Sequence, residues 1–142
     1  MFKKEIRILF ADDMAMFRAM VKNALTALGY RNYVETQDGE EAWQKIQEAN
    51  RENKPFDLII SDWMMPKMKG IDLLKQVRSE PWGKSLPFIM LTGEAEKQNI
   101  MEAIENRVSQ YIIKPFTVDQ LKGKMEQTYT KWLAETNTKK TA

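Results

Sequence analysis

Short apolar runs alternate along the chain with stretches whose apolar residues recur at helical spacing. Ile6–Phe10 is the first run and predicts a strand. Phe17, Met20, Val21, Ala24, Leu25 and Leu28 then follow at three- or four-residue intervals, which predicts a helix that Gly29 stops. Asn32–Thr36 predicts a short strand. Asp38-Gly39-Glu40-Glu41 has the form of a helix start, with Asp38 as cap and Glu41 three residues on. That helix is expected to reach about Asn53 and carries Ala42, Trp43, Ile46 and Ala49. Leu58–Ser61 predicts a buried strand, and Gly70 opens a third helix with Leu73, Leu74 and Val77 inward. Phe88–Leu91 is another apolar strand, Ile100, Ala103 and Ile104 mark a fourth helix, and Val108–Ile113 is the fifth strand. Thr117–Leu133 is the last helix, with Leu121, Met125, Thr128 and Trp132 on one face.

Five βα units in succession predict an α/β domain: a five-stranded parallel sheet, doubly wound, with helices on both faces. In such a fold the crevice lies beyond the C-terminal ends of the strands. No repeat or linker interrupts the pattern. Residues 1–134 read as one domain and 135–142 as a polar C-terminal tail expected to fray.

A length of 142 residues suits one hydrophobic core, and 43% hydrophobic with 30% charged residues is the balance of a globular chain. No apolar stretch approaches the ~18 residues needed to span a bilayer. The opening Met-Phe-Lys-Lys-Glu lacks the apolar region of a signal peptide. Membrane insertion is therefore not expected. The absence of cysteine excludes disulfides and thiolate chemistry and fits a cytoplasmic location. The absence of histidine excludes imidazole catalysis, His-ligated metals and a phosphohistidine carried by this chain. A net charge of +2, with no dense basic stripe, gives no reason to expect direct nucleic-acid binding.

The candidate chemistry sits at the strand ends. Asp12 and Asp13 close the first apolar run, and Asp62 closes Phe56–Ser61. If those strands are neighbours, the carboxylates meet in one crevice. There they raise one another's pKa unless a cation neutralises them. Ligation by carboxylate oxygens alone suits Mg²⁺. Thr92 and Lys114 end the fourth and fifth strands. With no glycine-rich phosphate loop, a nucleotide site is not expected. The set suits phosphoryl transfer onto a carboxylate, with Mg²⁺ and Lys114 neutralising phosphoryl oxygens and Thr92 donating a hydrogen bond. Each residue alone has a plainer reading: Asp12 and Asp13 as helix caps, Asp62 as a turn residue before Pro66, Lys114 as a solvated lysine. Together those readings require several coincidences. Most of the ten methionines read as core filler. Met14, Met16, Met64, Met65 and Met68 lie near the predicted crevice and read as a soft partner surface.

Ala11-Asp12-Asp13, Ser61-Asp62-Trp63-Met64-Met65-Pro66, Leu91-Thr92-Gly93 and Tyr111-Ile112-Ile113-Lys114-Pro115-Phe116, in this order, resemble the receiver domains of two-component response regulators. The likeness is to the CheY-like chemotaxis type, with its flavodoxin-like fold, and runs from about Ile6 to Leu133. It implies that Asp62 is the phosphoacceptor and that Asp12, Asp13, Asp62 and the backbone carbonyl of Met64 hold Mg²⁺. It implies that Thr92, Lys114 and Tyr111 relay the signal and that Lys114–Pro115 is cis. The donor would be the phosphohistidine of a partner histidine kinase. A downstream protein would dock on the face made by the fourth helix, fifth strand and fifth helix, where Ile100, Ile104, Tyr111 and Lys124 are candidates.

Some positions depart from the family pattern. Met64 stands two beyond Asp62, where polar residues are frequent in the chemotaxis relatives. Glu94, two beyond Thr92, does resemble them. Both flank the path of a water attacking the phosphoryl group. Asn106-Arg107-Val108 lacks the small residues common before the last strand, although Asn106 can still adopt the left-handed cap conformation. The expected domain is a switch rather than an enzyme, although it assists its own phosphorylation and hydrolysis. Two rivals are an aspartate-nucleophile phosphatase, which usually carries Asp-x-Asp rather than an adjacent pair, and a phosphorylation-independent docking module, which would be expected to lose Asp62, Thr92 or Lys114.

Overall fold

The computed structural model describes residues 1–93 and 97–141, with side chains for all of these except 97 and 137–141. The strands are β1 (Ile8–Ala11), β2 (Tyr33–Thr36), β3 (Leu58–Asp62), β4 (Phe88–Thr92) and β5 (Gln110–Ile113). The helices are α1 (Ala15–Ala27), α2 (Gly39–Arg51), α3 (Gly70–Ser79), α4 (Lys97–Glu105) and α5 (Val118–Thr141), with a 3₁₀ turn at Pro81–Gly83. The strands form one parallel sheet in the order β2-β1-β3-β4-β5. This is the expected doubly wound α/β architecture.

The central strands are apolar on both faces because both faces are covered. In β1, Ile8 and Phe10 join the core beneath α1 and α5, with Val21, Leu25, Leu121 and Met125. Leu9 and Ala11 join the core beneath α2, α3 and α4, with Ile46, Leu73, Leu74 and Ala103. The strands β3 and β4 divide their residues in the same alternating way.

Differences from the sequence expectation lie at element ends. The ladder starts at Ile8 rather than Ile6, where Tyr33 and Leu58 supply partners on either side. β3 and β4 each run one residue further, to Asp62 and Thr92. α2 ends at Arg51, and Asn53 takes the left-handed conformation at φ 57°. Between α4 and β5 the left-handed residue is Arg107 (φ 63°) and not Asn106. Asn106 spends its side-chain amide on the Glu102 carbonyl instead, at 2.9 Å. Gly29 stops α1 as expected, at φ 94°.

The largest difference is α5. It passes the expected end at Leu133 and continues through the polar segment expected to fray, to Thr141. No glycine or proline interrupts it after Gly123. Just before the expected end, Tyr129 stacks on Trp132 at 6.0 Å and meets Phe2 at 5.1 Å, so this part of α5 is packed on the N-terminal segment.

Candidate functional site

Strand order decides where the carboxylates meet. The chain passes from β1 outward to β2 and then returns to place β3 on the other side of β1. The connections above β1 and β3 therefore diverge and leave a crevice at their C-terminal ends. Ala11 is in register with Ser61, so Asp12 and Asp62 emerge side by side. Oxygens of Asp12, Asp13 and Asp62 lie within 4.8 Å of one another. Asp12 and Asp62 are buried, and Asp13 is exposed.

These carboxylates are not helix caps. The N-cap of α1 is Met14, which makes no side-chain cap bond. Asp12 Oδ1 instead accepts the Met14 N–H at 2.9 Å, closing a local turn. Its Oδ2 accepts from Lys114 Nζ at 2.6 Å. The same ammonium reaches Asp62 Oδ1 at 3.0 Å, and the Trp63 N–H donates to that oxygen at 2.8 Å. One lysine thus bridges two buried carboxylates. Burial, and then the charge of Asp12, push the Asp62 carboxyl up to about 6 from the ordinary 3.8, against the pull of Lys114 and the Trp63 N–H.

Lys114 directly follows β5, which ends at Ile113. Its N–H bonds the Thr92 carbonyl at 2.8 Å, and the following Lys114–Pro115 bond is cis, as the resemblance implied. Its ammonium also lies 3.9 Å from the centroid of the Phe17 ring. Sequence reasoning placed Phe17 on the core-facing stripe of α1 and missed this contact. The available signal was an aromatic residue one turn beyond Asp13.

Gly70 sets the other wall. Its N–H bonds the Trp63 carbonyl at 2.8 Å, closing the β3–α3 loop that contains Met64. A Cβ at Gly70 would stand 2.0 Å from the Asp62 carbonyl oxygen, so only glycine allows α3 to start this close to β3. Around the crevice Met14, Met16 and Met64 are exposed, Met68 is half-buried and Met65 is buried. Glu94 lies outside the described residues.

Thr92 is fully buried, and its hydroxyl has no hydrogen-bond partner among the described residues. Such a group carries a cost of about 1–3 kcal/mol until something bonds it. Tyr111 pairs with Met90 on the next strand and is half-buried, with Lys124 Nζ 4.9 Å from its ring centroid. Thr92 is in register with Ile113, two residues beyond Tyr111, so the Thr92 and Tyr111 side chains leave the sheet on the same face.

A crevice with clustered acidic oxygens, one bridging ammonium and an unbonded hydroxyl suits a multiply charged oxyanion brought in with a cation. The donor set is oxygen-only and partly desolvated, which fits Mg²⁺ better than a transition metal. The comparisons agree in kind. The family model for the response regulator receiver domain matches residues 8–126. Chemotaxis protein CheY1 of Helicobacter pylori is 42% identical over 121 residues, covering 85% of this chain and 94% of its own. Chemotaxis protein CheY-3 of Vibrio cholerae is 40% identical over 126 residues, covering 89% and 93%. The solved structure of chemotaxis response regulator CheY4 of Vibrio cholerae superposes with a TM-score of 0.77 at 32% identity, covering 87% of this chain and 98% of its own. Sheet order, crevice and sequence relatives lead to one conclusion: this chain belongs to the response regulator receiver domains, a family of switches that accept a phosphoryl group on an aspartate.

Proposed function

We propose that the chain is a CheY-like signalling regulator of the chemotaxis type, with a receiver spanning residues 1–134, in which Asp62 is the phosphoacceptor. The observation that carries this reading is Lys114 Nζ held between Asp12 and the raised carboxyl of Asp62. The donor is the phosphohistidine of a partner histidine kinase, since this chain has no histidine of its own. An ionised Asp62 oxygen attacks phosphorus; the P–O bond forms as the P–N bond breaks, and the imidazole leaves with the electron pair and takes a proton from solvent. Lys114 then turns from its carboxylates toward a phosphoryl oxygen. The Thr92 hydroxyl, otherwise unbonded, donates to another. Asp12, Asp13, Asp62 and the Met64 carbonyl are the ligands for Mg²⁺. When bound, that ion neutralises phosphoryl oxygens during transfer.

Movement of Thr92 toward the phosphoryl group is the step that alters Tyr111 and the α4–β5–α5 face. Ile104 and Ile113 are exposed apolar residues on that face, with Ile100, Tyr111 and Lys124 beside them, and they are the proposed docking surface for a downstream protein. No described helix is long and apolar enough to cross a membrane. A cytoplasmic setting is part of the proposal. So is the view that the domain is a switch and turns over no separate substrate.

Incubation with acetyl phosphate and Mg²⁺ is expected to add one phosphoryl group, read by intact mass. The adduct should be labile to base and hydroxylamine, and absent from Asp62→Asn. Labelling of Asp62→Asn at wild-type stoichiometry would overturn the assignment.

A further inference from the structure

The pole of the sheet opposite the carboxylates carries two clefts that share a wall. One, of about 750 Å³, is lined by Phe2, Phe56, Trp82, Tyr129, Trp132 and Leu133 among others. The second, of about 730 Å³, is lined by Arg78, Lys84, Arg107 and Lys131, with Glu135 as its lone acid. Ser85 and Trp132 line both. Each volume lies in the range of small-molecule sites, roughly 300–1,000 Å³. The apolar cleft is framed by aromatic rings packed on one another: Phe2 on Tyr129, and Tyr129 on Trp132. Its carboxylate, Asp57, already accepts the Arg7 N–H at 2.9 Å.

The basic cleft has a built floor. Arg78 is buried, and its guanidinium donates to the carbonyls of Gly83, Leu86 and Arg107 at 2.7–3.1 Å. Those bonds fix its plane without cancelling its charge. Burial, and then the charge of Arg107, push Arg78 down to about 10. Glu135 pulls the other way but leaves four basic side chains facing one acid, so the cleft gains from an anion.

Seven of the sixteen residues lining the apolar cleft and four of the ten lining the basic cleft lie outside the family-matched span of 8–126. Phe2 and Lys3 precede it, and Tyr129, Lys131, Trp132, Leu133 and Glu135 follow it on the extended α5. Neither cleft contains Asp12, Asp13, Asp62, Thr92 or Lys114, so the phosphoacceptor chemistry shared by the family does not account for them.

We propose that the joined clefts bind a small amphipathic anion. Its aromatic or hydrocarbon body lies against Tyr129 and Trp132, and its phosphate, sulfonate or carboxylate group faces Lys84, Arg107 and Lys131. An uncharged apolar ligand would leave the cations unmatched. Inorganic phosphate alone would leave the aromatic cleft unfilled.

The test uses two probes that share a body and differ in charge, 8-anilinonaphthalene-1-sulfonate and uncharged N-phenyl-1-naphthylamine, titrated by fluorescence into the full chain. The sulfonate is expected to saturate one site and to bind at least tenfold more tightly than the amine. Lys84→Glu with Lys131→Glu, both at exposed positions, should weaken the sulfonate tenfold or more and leave the amine unchanged. Trp132→Ala should weaken both probes. Circular dichroism and acetyl phosphate labelling report that each variant still folds. Equal affinity for the two probes, no saturable sulfonate site, or no effect of the charge reversals in folded protein would each overturn the proposal.

Discussion

Asp62 carries its charge reluctantly: burial and Asp12 hold its carboxyl near 6, above the 3.8 of an unfolded chain. Between those values the folded state binds more protons than the unfolded state. The stability associated with the protonated form is fully present below 3.8 and is lost as pH rises through 6. Asp62→Asn removes the charge but keeps the shape. In EDTA at pH 7.5 it is expected to raise the melting temperature by several degrees, and at pH 4 the gain should shrink toward zero. A gain that grew on acidification would contradict the cause assigned to the shift. The three aspartates were legible from sequence because they end apolar runs. The Phe17–Lys114 contact was not, because it depends on the tilt of α1 over the strand ends, which no residue spacing encodes.

Two glycines in helices separate packing from propensity. At Gly70 a methyl group would strike the Asp62 carbonyl and come within 3.0 Å of Met90 Sδ. Gly70→Ala must push α3 away from β3, and a loss of roughly 1–3 kcal/mol is expected by urea unfolding. Phosphorylation at Asp62 should slow with it. Gly123 lies within α5, and nothing stands within 4 Å of its would-be Cβ. There the same substitution should stabilise by roughly 0.4–1 kcal/mol, through the unfolded chain and helix propensity. Equal signs at the two positions would refute the packing argument. Elements and their faces were readable because buried positions alternate in strands and recur by turns in helices. Their ends were less so. Asn106 is the better left-handed residue by type, yet Arg107 occupies that conformation and presents its carbonyl to Arg78. α5 outran its apolar pattern because no glycine or proline stops it after Gly123, and the Tyr129 contact with Phe2, across almost the whole length of the chain, was not visible in any local spacing.

The whole molecule has two unlike poles joined by one sheet, acidic at the strand C-terminal ends and basic-aromatic at the other. On the proposed reading, a change at the acidic pole reaches the α4–β5–α5 face through Thr92 and Tyr111, which lie on the same face of neighbouring strands. A full conversion from 1:99 to 99:1 needs a bias of about 5.5 kcal/mol. Beryllium fluoride is expected to shift NMR signals at both Asp62 and Tyr111 in the wild type. In Thr92→Ala the Asp62 region should still respond while Tyr111 falls to a small fraction of its shift. A full response at Tyr111 in that variant would remove Thr92 from the relay. The lysine shared by two carboxylates has a consequence for fidelity. Three acids faced by one ammonium leave two negative charges uncompensated once Asp62 ionises. A phosphoryl donor arriving alone meets a field of its own sign. On the proposed reading, the crevice answers only when donor and divalent cation coincide. The resting chain is thus insulated from stray phosphate compounds by its own repulsion, and silence is built into the same few atoms that carry the signal.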